Sequence, residues 1–163
     1  MPFNSDNDLN QAEGTMKEIK INRVSYSPGY GDMLGGYHKS TLRRDKDGNW
    51  TYVCTDRETH DRPTVTAVYA VSTEAIAQFE EFIKSKKVLS LEGRSASDMF
   101  ATDYSPWSWS IDYDTTSFGK TKREYCSFGE YQRYSGGDYE LLKELEKRFT
   151  AIRKEKISET AES

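Results

Sequence analysis

Long apolar runs are missing from this chain of 163 residues. None approaches the roughly 20 residues that a membrane-spanning helix needs. The first sixteen residues, Met1 to Met16, have neither a basic start nor an apolar stretch, so they do not read as an export signal. Cysteine is scarce as well. Cys54 and Cys126 cannot staple a small disulfide scaffold, and without an export signal both are expected as reduced thiols in a cytoplasmic protein. Histidine is limited to His38 and His60, and no Cys or His pair has the close spacing of a structural zinc site, so no metal and no cofactor is expected. An excess of positive charge is also absent: the net charge is −4 and the pI about 5.3. The short basic clusters Arg43-Arg44, Lys84 to Lys87 and Lys122-Arg123 lie near acidic residues and read as solvated surface, so nucleic acid is not an expected partner. No membrane partner is expected either.

Aliphatic residues are few. Leu, Ile, Val and Phe together make up about a sixth of the chain, below the roughly 20% that accompanies disorder when net charge is high. Net charge here is low, and 3 Trp and 11 Tyr restore the missing apolar area, since each buried aromatic removes about 150–250 Å² from water. The expectation is one globular domain over residues 17–154, preceded by a flexible polar arm (1–16) and followed by a polar tail (155–163).

The clearest local pattern is Trp107-Ser108-Trp109-Ser110-Ile111-Asp112-Tyr113-Asp114, where large and small residues alternate without a break. This is the period of a half-buried strand, and it predicts Trp109 and Ile111 in the core. Residues 19–27 form another candidate strand, with Ile19 and Ile21 in one phase and Val24 and Tyr26 in the other, a switch that marks a bulge. Asp47-Gly48 lies between strand-like runs at 37–45 and 50–56 and signals a hairpin. A fourth strand is expected over 63–71. From Thr73 the period lengthens: Ile76, Phe79, Phe82 and Ile83 share one helical face, Ser72 or Thr73 can cap its start, and Lys84, Lys86 and Lys87 suit its negative end. Residues 88–104 read as a connection with a short extended piece. A second hairpin turns at Ser117-Phe118-Gly119-Lys120 between 107–114 and 121–128, and Leu142, Leu145, Phe149 and Ile152 mark a closing helix with a Glu144–Arg148 pair. The order ββββ-α-ββ-α predicts an α+β fold in two layers, a mainly antiparallel sheet of about six strands with both helices on one face.

The segment Gly29-Tyr30-Gly31-Asp32-Met33-Leu34-Gly35-Gly36 after an Ile-rich strand, the Asp47-Gly48 hairpin, the helix opening at Ser72-Thr73-Glu74 and the run from Trp107 to Tyr113 together resemble small bacterial α+β domains of unknown function. The resemblance extends from Ile19 to Ile152. It implies a bacterial or phage source and no particular activity.

Chemical motifs fare poorly. Gly31 and Gly36 with Lys39-Ser40 have a superficial likeness to a phosphate-binding loop, but Tyr37 and His38 intervene and a strand follows instead of a helix. Gly29-Tyr30-Gly31 lacks the third glycine and the helix of a dinucleotide fingerprint. No nucleophile-elbow sequence appears. Asp98, Asp103, Asp112, Asp114, Glu92 and Glu124 offer carboxylates, but acidic residues at turns and on polar strand faces are ordinarily solvated. Asn49-Trp50-Thr51 is a glycosylation sequon without a secreted context.

No catalytic residue is assigned at this level. Tyr30, Met33, Leu34 and Tyr37 in the glycine-rich segment, with Tyr104 and Trp107 near the aromatic strand, are the candidates for contact with a partner, because such side chains bury much area for few rotatable bonds. The leading expectation is a non-enzymatic module that binds another protein. A second is a small hydrolase or transferase using His38 or His60 with carboxylates, which requires a concave pocket where a histidine meets an acidic residue and a nucleophile. A third is a purely structural domain of a larger assembly.

Overall fold

Two hairpins set the frame of the sheet. In the computed structural model, which describes residues 18–28, 36–93, 107–129 and 136–162, Asp45 closes the first turn by accepting from the backbone N–H groups of Asp47 and Asn49 through Oδ1, at 2.8 and 2.9 Å. Gly48 follows with φ +85°, a backbone conformation that costs glycine nothing. The second turn is Phe118-Gly119, with φ 53° and 78°, the double positive φ of a type I′ hairpin.

Seven strands result: β1 (Glu18–Ser27), β2 (Tyr37–Arg44), β3 (Trp50–Arg57), β4 (Thr64–Val71), β5 (Ser108–Ser117), β6 (Lys120–Gly129) and β7 (Arg153–Glu162). They form one sheet in the order β6-β5-β1-β2-β3-β4-β7, with every neighbouring pair antiparallel. Helix α1 (Thr73–Ser85) and a 3₁₀ turn (Val88–Gly93) connect β4 to β5, and helix α2 (Gly136–Thr150) lies between β6 and β7. The fold class is α+β as the alternating periods predict, but the strand count is one higher. Residues 155–162, expected as tail, form most of β7. Every residue of β7 is exposed, so it is held by backbone pairing to β4 and leaves no apolar period in the sequence. The expected extended piece at Val88 is also corrected: it is a 3₁₀ turn whose Val88 and Leu91 are fully buried.

The bulge in β1 falls between Ile21 and Arg23, where the register to β5 shifts. By absorbing one residue it turns both halves of the strand inward, so Ile21 and Val24 are both fully buried. The Glu80 carboxylate of α1 accepts from the backbone N–H of Ile21 at 2.9 Å.

On the helix-covered face, cross-strand rows can be read straight across the sheet. One runs Cys126, Ile111, Val24, Leu42, Tyr52, Tyr69, and the next runs Phe128, Trp109, Tyr26, Ser40, Cys54, Ala67. Ile76, Phe79, Phe82 and Ile83 of α1 and Leu142, Leu145 and Phe149 of α2 join these residues, Ser40 and Ala67 apart, in a single core. Ser72 caps α1, accepting from Ala75 N–H at 3.1 Å. Arg148 pairs with Glu144 at 2.8 Å and reaches over the Phe82 ring at 4.6 Å, which links the two helices. The opposite face carries the row Ser127, Ser110, Ser25, Thr41, Val53, Val68, Ser158.

Candidate functional site

Where α2 crosses the outer ends of β1, β2, β3 and β5, it leaves a cleft against the sheet. The cleft has two hollows, of about 240 and about 300 Å³, that share Tyr26, Pro28 and Glu146. Strand alternation brings Tyr26, Trp107 and Trp109 into the first, and the turns of α2 supply Tyr139, Leu142, Lys143 and Glu146 as its roof. The second is floored by His38 and Ser40 of β2 and by Tyr52, Cys54 and Asp56 of β3, with Phe149, Thr150 and Arg153 at its far side. A hollow of about 270 Å³ that borders the second at Asp56, and another of about 250 Å³, have no aromatic lining, whereas ligand sites are characteristically apolar and aromatic with a few convergent polar groups.

The register of the first hairpin creates the polar half. Arg44 faces Trp50, so His38 faces Asp56 and Ser40 faces Cys54. His38 Nδ1 is bonded to the Asp56 carboxylate, with both side chains partly exposed to the cleft. Cys54 is buried; its sulfur lies 3.5 Å from Ser40 Oγ and accepts from an Arg153 guanidinium N–H at 3.4 Å. The guanidinium also lies over the Tyr69 ring, 5.1 Å from its centroid. Burial pushes the Tyr52 phenol well above its ordinary pKa, so it stays protonated.

The aromatic half is built on Trp109. Its indole is 2% exposed and stacks on Tyr26 with centroids 4.1 Å apart. The Tyr26 hydroxyl donates to Glu146 of α2, tying roof to floor. Burial first, then the hydrogen bond and charge of Glu146, raise the Tyr26 pKa far above the phenol range. No family model, curated protein or solved structure matches this chain.

Among the residues singled out from sequence, Trp107 lines the cleft, half-buried, and Tyr37 stands exposed on β2 next to His38. Tyr30, Met33, Leu34 and Tyr104 lie outside the described residues. Sequence reasoning missed Tyr26, Ser40, Asp56, Glu146 and Arg153, and treated His38 and Cys54 separately. A signal was present, because fixing the Asp45–Asn49 turn fixes which residues oppose one another along β2 and β3. His60 lies in the exposed turn after β3, apart from the cleft. Cys54 and Cys126 are free, on β3 and β6 with three strands between them, too far apart for a disulfide. Burial, with a smaller contribution from Glu92, pushes the Cys126 thiol up to about 12. Among the described residues no cluster of three metal-ligating side chains occurs, and no helix is long and apolar enough to cross a membrane.

Proposed function

We propose that this protein is a non-enzymatic binding module whose ligand is a small organic molecule held between α2 and the sheet. The observation that carries the reading is the adjacency of two chemically unlike hollows that share Tyr26, Pro28 and Glu146 as lining. Aromatic rings at one end offer stacking area, while Arg153, His38 and Ser40 at the other offer groups that orient a polar substituent. Recognition of a protein through the glycine-rich segment is a separate reading, and Tyr37, exposed on β2 beside His38, is the residue of that segment next to the cleft.

The test is a fragment titration followed by backbone and indole NMR shifts. Shifts should gather at Tyr26, Trp107, Trp109, His38 and Arg153, and Ser40→Phe, which fills the floor of the polar hollow, should weaken binding of fragments that reach it. Shifts gathered on the open Ser/Thr face instead would overturn the reading.

A second reading has one observation in its favour. His38 meets Asp56 on the cleft wall, one rung from Ser40 and Cys54, the meeting of histidine, carboxylate and nucleophile types that a small hydrolase or transferase requires. Under that reading iodoacetamide alkylates Cys54 at pH 7 in the folded protein, at a rate that falls in His38→Ala, while Cys126 stays unmodified. Equal resistance of both thiols until unfolding would dismiss a cysteine nucleophile.

A further inference from the structure

We propose that the aromatic end of the cleft recognises an organic cation, a tertiary or quaternary alkylammonium group, with Glu146 as its counter-charge. The inference rests on the reading of the cleft as a ligand site and names the ligand's chemistry. Tyr26, Trp107 and Tyr139 line this hollow over Trp109, whose indole is 2% exposed and stacked on Tyr26. Aromatic faces carry negative potential, and several rings about one space form the environment that holds alkylammonium groups, which are too weakly hydrated to resist transfer out of water.

The carboxylate decides the sign of the charge. Glu146 borders both hollows and receives the Tyr26 hydroxyl proton in a hydrogen bond. Among the described residues no basic side chain forms an ion pair with it. Lys143 also lines this hollow, but its exposed ammonium lies 3.5 Å from Glu140, which partners its charge. A neutral ligand seated here would strip water from Glu146 without returning a partner, and an anion would add repulsion. A cation supplies the missing charge and meets the ring faces at the same time. An inorganic cation is a poor fit, since a single carboxylate among indoles and phenols lacks the oxygen ligands that hard metal ions require.

The protein carries its own probe in Trp107 and Trp109. Phenyltrimethylammonium, its neutral isostere tert-butylbenzene and the anion benzenesulfonate are titrated against intrinsic fluorescence and checked by NMR. The expected order is the cation at least about tenfold tighter than the neutral isostere, with benzenesulfonate weakest at this end. Glu146→Gln should weaken the cation about tenfold and leave the isostere within about twofold, and Trp107→Ala should weaken the cation further. Thermal melts of the variants confirm folding, and Asp47→Asn, in the exposed turn at the other end of β2, serves as the carboxylate control expected to keep cation binding. If the cation and the isostere bind equally and Glu146→Gln changes neither, the charge assignment is wrong and the cleft remains a ligand site. If none of the three probes moves a cleft resonance and the fragment titration is also silent there, the reading of the cleft itself fails.

Discussion

Trp109→Ala tests whether the aromatic row of the sheet is the core it looks to be. The indole is 2% exposed, stacked on Tyr26, edge-on to Phe149 at 5.3 Å and near-parallel to Phe128 at 6.5 Å. Returning about 150–250 Å² of aromatic surface to water at about 25 cal/mol per Å² corresponds to about 4–6 kcal/mol. A partly compact unfolded chain lowers that figure, which brings the expected loss to about 3–5 kcal/mol, in line with indole truncations in other cores. Against a total stability of roughly 5–15 kcal/mol the variant stays folded with little margin. For a chain of this size the melting temperature should drop by about 8–16 °C at a loss of about 4 kcal/mol. Urea unfolding followed by far-ultraviolet circular dichroism gives the loss directly, because that signal does not depend on the removed fluorophore. Trp109→Phe should recover about half of it. A midpoint for Trp109→Ala equivalent to less than about 1 kcal/mol of change would show that neighbouring rings close over the gap, and that the row does not hold the helices in place.

Asp112 is held below the ordinary carboxylate range chiefly by its hydrogen bonds from Arg123, one of them Nε–H to Oδ1 at 2.9 Å. Its folded pKa is depressed, so its contribution to stability is present above the unfolded value and is lost as pH falls through the folded one. Asp112→Asn should therefore shrink the difference between melting temperatures at pH 7 and pH 2, and an unchanged difference would assign the acid sensitivity to other carboxylates. Phe118 occupies a positive-φ turn position while 69% exposed. Phe118→Asn should stabilise by up to about 1 kcal/mol in urea titration, and destabilisation would show that the ring has a packing role. A Cβ on Gly129 would lie 2.9 Å from the Trp107 carbonyl oxygen, a backbone atom that cannot swing aside. Gly129→Ala should cost about 1–3 kcal/mol and shift the Trp107 indole resonance, whereas a silent substitution would mean that the end of β6 yields freely.

The parts of the fold legible in the sequence are those where side chains and backbone state the same thing. Alternation from Trp107 to Asp114, the switch of phase between Ile21 and Val24 and the three-four spacing of Leu142, Leu145 and Phe149 each record which side of an element is buried. β7 records nothing of the kind, because Lys154 to Glu162 are exposed along the whole strand and the strand exists through the edge of β4. The cleft was hidden for another reason. Tyr26, Cys54 and Glu146 lie on three elements, and each alone has an ordinary structural role; their meeting depends on strand order and on the path of α2, which local periodicity does not encode.

The place of β7 has a kinetic consequence. β2, β3 and β4 can pair through short turns, and β5 with β6 through a two-residue turn, so these hairpins close at small entropic cost. The β4–β7 ladder sets Thr64 against Glu162, and the β1–β5 ladder sets Glu18 against Thr116. Those closures wait on distant parts of the chain and place this fold among the slower, non-local folders of the millisecond-to-second range. Until β7 arrives, β4 presents an open edge rich in valine and threonine, the interval in which an assembling chain is most exposed to pairing with a neighbour.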